Sequence, residues 1–340
     1  MRIAIDAMGG DHAPHQIVKG AVASLDLLGD DELLLVGDTN SIEAELAEVS
    51  NWNNKISIVH TTQVVSMDDS PVEALRNKRD SSIAVMAKLA SSKQVDAVIS
   101  AGNTGALVAA CQMKIKPLPG VVRPGIAVTF PGFHGPCILC DCGANPECRP
   151  INLHQYAVMS SLYAKEVWQV ETPRVGLLSI GEEDAKGNKL VKEARARMKS
   201  DPTLNFRGNV EGRDIFSGEF DVVVADGFVG NVVLKLVEGL AETFYKNIGR
   251  SLLELKPEMA MQMEATLGEI YNQHDYNEHG GAPLLGVDGV CIICHGSSDY
   301  RSIKNSVKLV QTLSQHHVNQ QITEYLSELS AAPAIPSEGS

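Results

Sequence analysis

Short apolar runs recur along the chain, each ending in a cluster of glycine, asparagine and acidic residues, with amphipathic stretches between them. The runs read as strands near 2–6, 33–37, 56–60, 95–100, 126–130, 138–141, 174–180, 206–210, 221–225 and 290–295. Apolar positions spaced three and four apart mark helices near 14–28, 41–49, 83–91, 104–113, 151–167, 185–198, 229–250, 257–271 and 300–329. This alternation predicts a mainly parallel, doubly wound sheet in a three-layer α/β/α, Rossmann-like domain. Residues 1–329 read as one such domain, or as two tightly joined subdomains, and 330–340 as a disordered tail. In a doubly wound sheet ligands bind beyond the carboxyl ends of the strands, so the turns are expected to converge along one rim.

Around 98–107 an apolar strand runs into Gly102-Asn103-Thr104-Gly105 and then into helix-forming Ala106-Leu107. Two glycines permit close backbone approach, and a new helix presents unpaired N–H groups, so the turn suits a phosphate. An ordinary strand-to-helix turn capped by Asn103 or Thr104 is the competing reading. Similar turns follow other strands, at Gly143-Ala144-Asn145, at Gly208-Asn209 and at Gly230-Asn231. Jointly, Asn103, Asn145 and Asn231 offer neutral donors and acceptors for a phosphate or a developing oxyanion. Asp6, Asp11 and His12 in the first turn could ligate a metal, but hydrogen bonding within a tight turn is simpler. The acids at 182–184 suit a helix start, and Lys186 could balance an anion. His295, at a strand end beside Ser297 and Ser298, is the acid–base candidate by position, with a structural histidine as the alternative.

Composition narrows these choices. The chain has 340 residues and a formal net charge of −13, which argues against broad nucleic-acid binding and requires any anion to be held locally. The cations Arg76, Lys78 and Arg79 mark either a docking patch for an acidic partner or a solvated helix face. No charged and apolar leader pattern opens the sequence, and no run approaches the roughly 20 apolar residues of a spanning helix, so a cytoplasmic location is expected. Seven cysteines then read as reduced thiols. Cys137, Cys140, Cys142 and Cys148 have metal-like spacing, and Cys291 to His295 matches a haem-attachment pattern, yet both lie in apolar strand runs where cysteine packs as a small hydrophobe.

Seven motifs in order carry a more specific signal: IAIDAMGGDHAP (3–14), VISAGNTGALVA (98–109), LCDCGANP (139–146), VGLLSIGEED (175–184) with Lys186 and Gly187, GNVEGRD (208–214), DVVVADGFVGNVVLK (221–235), and GGAPLLG with HGSSD (280–286, 295–299). Through them the chain resembles the bacterial phosphate acyltransferase (PlsX) family from residue 3 to about residue 310. The resemblance implies transfer of a fatty acyl group from acyl carrier protein to inorganic phosphate, giving acyl phosphate for phospholipid synthesis. It implies a fold like those of phosphotransacetylase and isopropylmalate dehydrogenase, with no metal or nicotinamide. It also implies a homodimer that associates peripherally with the inner face of the cell membrane, and a downstream membrane glycerol-3-phosphate acyltransferase. Onto this reaction the expected phosphate or substrate residues are Gly102, Asn103, Thr104, Gly105, Gly143, Asn145 and Ser297, and the expected catalytic residues His295, Lys186, Asn231 and Lys235.

Segment 251–277 resembles the family's membrane-contacting region, but Glu254, Glu258, Glu264 and Glu269 outweigh Lys256 there, which predicts weak attraction to anionic lipid. Val229, Val232, Val233, Leu236, Val237, Leu240 and Phe244 form an apolar helix face suited to the core or to a dimer contact. Two other functions fit parts of the pattern. A nicotinamide-dependent dehydrogenase would share the glycine turns, although the chain lacks GxGxxG after its first strand. A non-enzymatic regulator could bind phosphate or an acyl carrier without turnover.

Overall fold

The computed structural model describes residues 1–132, 135–255, 278 and 280–331. The described residues form an eleven-stranded sheet in the order β3-β2-β1-β4-β11-β10-β5-β6-β9-β7-β8. Its strands are β1 (Arg2–Asp6), β2 (Glu32–Gly37), β3 (Ile56–His60), β4 (Ala97–Ser100), β5 (Gly125–Gly132), β6 (Gly135–Cys140), β7 (Arg174–Leu178), β8 (Asn205–Val210), β9 (Val222–Val224), β10 (Ala282–Leu285) and β11 (Val290–Ile293). Inner strands such as β2 and β9 are apolar almost throughout because helices cover both faces, while the edge strand β3 is only partly buried.

Helices α1 (His15–Ala23), α2 (Thr39–Leu46), α6 (Pro150–Trp168), α7 (Lys189–Ser200), α9 (Tyr300–Gln315) and α10 (Val318–Ala331) pack on one face through residues such as Ile17, Tyr156, Met198 and Ile303. Helices α3 (Pro71–Asn77), α4 (Ser82–Ser91), α5 (Thr104–Ala110) and α8 (Gly227–Leu255) cover the other, through Ala74, Met86, Leu107 and Val233. The result is the expected three-layer frame. Each fully buried Leu or Ile in it contributes about 1.5–3 kcal/mol.

The sheet departs from the sequence reading in one consequential way. Strands β3, β2, β1, β4 and β11 are parallel, but β10 runs antiparallel to both β11 and β5, and β5 is antiparallel to β6. Strands β6, β9, β7 and β8 are again parallel to one another. Three reversals therefore point the second group opposite to the first. The carboxyl ends of β1, β4 and β11 and those of β6, β9 and β7 lie on opposite rims, not along one.

Strand β10 is absent from the apolar runs read in the sequence, where Pro283 and the flanking Gly280, Gly281 and Gly286 weaken the strand signal. The helix expected over 300–329 is two, broken at His317, whose φ is +52°. Asn319 anchors the second by donating to the carbonyls of Val287 and Gly289. Helix α7 starts at Lys189 under an Asn188 cap, so the acids at 182–184 lie ahead of it, with Asp184 paired to Arg195. Of the cationic cluster, Lys78 turns inward to the Val64 carbonyl and the Asp69 carboxylate, whereas Arg76 and Arg79 are exposed. On α8, Val233 and Val237 pack against the sheet, while Val229, Val232, Leu236, Leu240 and Phe244 are exposed. The helix expected near 257–271, most of segment 251–277 and the tail from 332 lie outside the described residues.

Candidate active site

The first rim is organised by Asp6, the last residue of β1 and almost wholly buried. Its carboxylate accepts from Ser100 Oγ at 2.7 Å and from the Met8 N–H at 3.2 Å, and Ser100 Oγ accepts from the Gly102 N–H at 3.0 Å. Burial raises the Asp6 pKa despite these bonds. A Cβ on Gly9 would fall 2.5 Å from Asp6 Oδ2 and 2.8 Å from the Gly102 nitrogen, so glycine lets the turns after β1 and β4 interlock. Asp6 thus serves the tight-turn reading, not the metal reading.

Asn103 caps α5, its Oδ1 accepting from the Ala106 N–H at 2.9 Å. Its Nδ2 donates to the carbonyls of Ser66, Met67 and Asp69 at 3.0–3.2 Å, which fastens the loop before α3 to this rim. Thr104 begins the helix, and a Cβ on Gly105 would lie 2.7 Å from Pro71 Cγ, so that glycine allows α3 to pack on α5.

His295 follows β11 on the same rim. Its Nδ1 lies 2.8 Å from Ser297 Oγ, and its Nε2 lies 3.0 Å from Lys235 Nζ of α8. Lys235 also donates to Glu238 Oε2 at 2.8 Å, and that oxygen is 4.0 Å from His295 Nε2. Desolvation, then the neighbouring ammonium, hold the His295 pKa below its ordinary value.

The second rim is organised by Asp141, fully buried just past β6. Its carboxylate accepts from the N–H groups of Ile126, Ala144 and Asn145 at 2.8–3.0 Å. Burial nevertheless pushes its pKa up to about 6. The buried Asn145 carboxamide donates to the Pro124 carbonyl, Tyr156 OH and Asp141, and accepts from Arg123 and Gln112. Gly143 has φ +117°, where a side chain would be strained, and faces Asn231.

Helix α8 starts directly on this turn. The Gly227 N–H donates to the Asn145 carbonyl at 3.0 Å, and a Cβ on Gly230 would fall on the Asp141 carbonyl. One turn after Asn231 comes Lys235, which reaches His295 on the other rim. Helix α5 spans the same gap in the opposite sense, from its Asn103 cap to Gln112, just past its end, beside Asn145.

Of the expected site residues, His295 touches both Ser297 and Lys235, and Asn231 and Gly143 meet at the other end of the same stretch of α8. Asn103 lies on the first rim and Asn145 on the second, but their carboxamides are committed to internal bonds. Lys186 is exposed after β7, on the second rim and separated from the Asp141 strand by β9. Sequence reasoning missed the organising role of Asp141 and the presence of Glu238. An acid directly after an apolar strand was a usable signal for the first; the second needed the helix register that puts positions 231, 235 and 238 on one edge.

The cysteines Cys111, Cys137, Cys140, Cys142, Cys291 and Cys294 are buried and unpaired, and burial lifts the Cys137 thiol to about 12, as core packing requires. Among the described residues, carboxylates of Glu182, Glu211 and Asp214 cluster within 4.8 Å, with Arg213 paired to the last two. A cavity of about 310 Å³ beside Asp96 and Val290 lies at the amino ends of β4 and β11, away from Asn103 and His295.

A phosphotransacetylase from Streptococcus pyogenes has a similar structure, with a TM-score of 0.59 at 15% identity over 94% of both chains, which is a likeness of fold. Residues 1–321 match the family described as fatty acid synthesis protein. Phosphate acyltransferases of Geotalea daltonii and Halothermothrix orenii are 45% identical over 337 residues and 47% identical over 322 residues. These alignments cover 96% and 92% of this chain, and 95% and 94% of those proteins. The protein is thus an acyltransferase on a three-layer α/β/α frame. The chain belongs to the fatty acid synthesis protein family, that of the phosphate acyltransferases.

Proposed function

We propose that the protein transfers a fatty acyl group from the thioester of acyl carrier protein to inorganic phosphate, releasing acyl phosphate for phospholipid synthesis. The observation that carries this reading is the contact of Lys235 with His295, which puts an ammonium and an imidazole between two rims rich in backbone donors. Hydrogen phosphate dianion is already a nucleophile, so no activated serine is required. One of its oxygens forms a bond to the acyl carbon, the carbon–sulfur bond breaks with its electron pair going to sulfur, and the phosphate proton ends on the thiolate. The reaction therefore needs positioning and a proton shuttle. Fixing the two reactants lowers the barrier by about 7–11 kcal/mol at best, and each donor aimed at the tetrahedral oxyanion adds about 3 kcal/mol.

In this reading Lys235 and Asn231 hold phosphate at the gap spanned by α8, with the backbone of Gly102–Gly105 and Gly143 closing its two sides. His295, oriented by Ser297, carries the proton from phosphate to sulfur. Asn103 and Asn145 brace the loops, and Lys186 lends charge from the second rim. The exposed apolar stripe of α8 supports a homodimer. A cytoplasmic enzyme held weakly at the membrane face would pass acyl phosphate to a membrane glycerol-3-phosphate acyltransferase. Among the described residues no helix is long and apolar enough to cross a membrane.

The test is to mix protein, acyl-carrier thioester and phosphate, and trap acyl phosphate with hydroxylamine. Phosphate-dependent hydroxamate is expected; binding of both substrates without turnover would refute the assignment.

A further inference from the structure

We propose that Glu238, which the expected catalytic set does not include, is a positioning residue that fixes how the Lys235–His295 pair carries its proton. The inference rests on the acyl-transfer reading. Two nitrogens at 3.0 Å cannot both present a proton to each other, so one must offer a lone pair. An ammonium has none to offer; the imidazole does. Nε2 of His295 therefore accepts from Lys235, while Nδ1 faces Ser297, 2.8 Å from its Oγ and 3.3 Å from its backbone nitrogen.

That arrangement places a positive charge against a basic nitrogen, and it needs a counter-charge that does not itself neutralise the histidine. Glu238 Oε2 meets the requirement, at 2.8 Å from Lys235 Nζ but 4.0 Å from His295 Nε2. It bonds the ammonium and only senses the ring. Lys235 and Glu238 stand three residues apart on α8, so the helix itself sets their separation. Among the described residues, the charged groups facing His295 include Lys235 and Glu238 from α8 and Asp11 from the turn after β1; the first opposes protonation of the ring and the two acids favour it. With Glu238 in place, the resting trio of lysine, glutamate and neutral histidine has no net charge. It can accept the phosphate proton on Nε2 and return it to sulfur as Lys235 turns to the anion.

The experiment follows the His295 imidazole by NMR through a pH titration in the full-length wild type, E238Q and E238D, the resonance being assigned with H295Q. Turnover is measured on the same samples by hydroxamate trapping. In E238Q the His295 titration should move to lower pH and kcat should fall about tenfold, with the phosphate KM within about twofold. E238D should bring the titration back towards wild type. An unmoved titration in E238Q overturns the proposal, as does a moved titration with unchanged kcat in an enzyme that makes acyl phosphate. The titration is independent of turnover, so a wild type that makes no acyl phosphate would refute the functional reading while still testing this geometry.

Discussion

Lys235 Nζ lies 3.0 Å from His295 Nε2, although the two residues are sixty positions apart and stand on elements from oppositely directed groups of strands. The contact exists because α8 begins on the Asp141 turn of one rim and reaches the other within about two turns. It makes one site from two rims.

The H295Q variant should keep its fold and lose about 10²–10⁴ in kcat with little change in the phosphate KM. Because burial and Lys235 depress the His295 pKa below 6.5, the neutral ring persists below the usual histidine range. Activity should therefore be held into mildly acidic solution and fall only as pH drops through that lowered value. A pH–rate profile of kcat at saturating phosphate, which reports the bound complex and not the ionisation of free phosphate, checks the sign: an acidic limb above 6.5 would be wrong.

Replacing Asn103 by Ala removes a helix cap and three bonds to the loop at 66–69. A cost of about 1–2 kcal/mol in stability is expected, together with a raised phosphate KM as the loop loosens. Phosphate saturation curves and limited proteolysis within 64–70 report the two effects separately.

Far from the site, Asp201 joins three helices, accepting from His154 of α6 at 2.8 Å and from Tyr325 of α10 at about 3.1 Å. Burial alone would raise its pKa, but hydrogen bonds from His154 and Thr203 hold it down at about 2, against 3.8 unperturbed. A depressed carboxylate stabilises the fold above its unfolded pKa and loses that contribution as pH falls through the folded one. D201N should cost about 2 kcal/mol at neutral pH, and the deficit should close between about pH 4 and pH 2. Denaturant melts of both proteins across that range measure it.

How far the sequence reached depends on whether a feature was local. Ten strand runs were legible because central strands covered on both faces are apolar throughout, as in Leu33–Val36. The clustering of glycine and asparagine marked the turns that follow β4 and β6, whereas Gly208-Asn209 lies within β8 and Gly230-Asn231 within α8. Strand β10 was hidden by Pro283 and its glycines, and with it went the reversal that places the turns on opposite rims. That the amide donors of Asn103 and Asn145 are used internally is not legible locally, because acceptors such as the Ser66 and Pro124 carbonyls stand 37 and 21 positions away. Glu238 stands out only once α8 sets it three residues from Lys235 and brings both beside His295.

The exposed side chains of α8 make a prediction about assembly. If Leu236 and Leu240 lie in the proposed dimer contact, L236E/L240E should sediment as a monomer at concentrations where the wild type is a dimer. Equal sedimentation of the two would remove α8 as the interface. In liposome flotation the wild type should bind weakly and L252E/L253E less; no difference counts against a membrane contact there.

The most direct test of a site spanning the two rims is a crystal structure of the full chain with inorganic phosphate. The ion is expected within hydrogen-bond reach of Lys235 Nζ and the Asn231 carboxamide, between the turns that follow β4 and β6. Phosphate bound only elsewhere, with Lys235 and His295 untouched by it, would contradict the account.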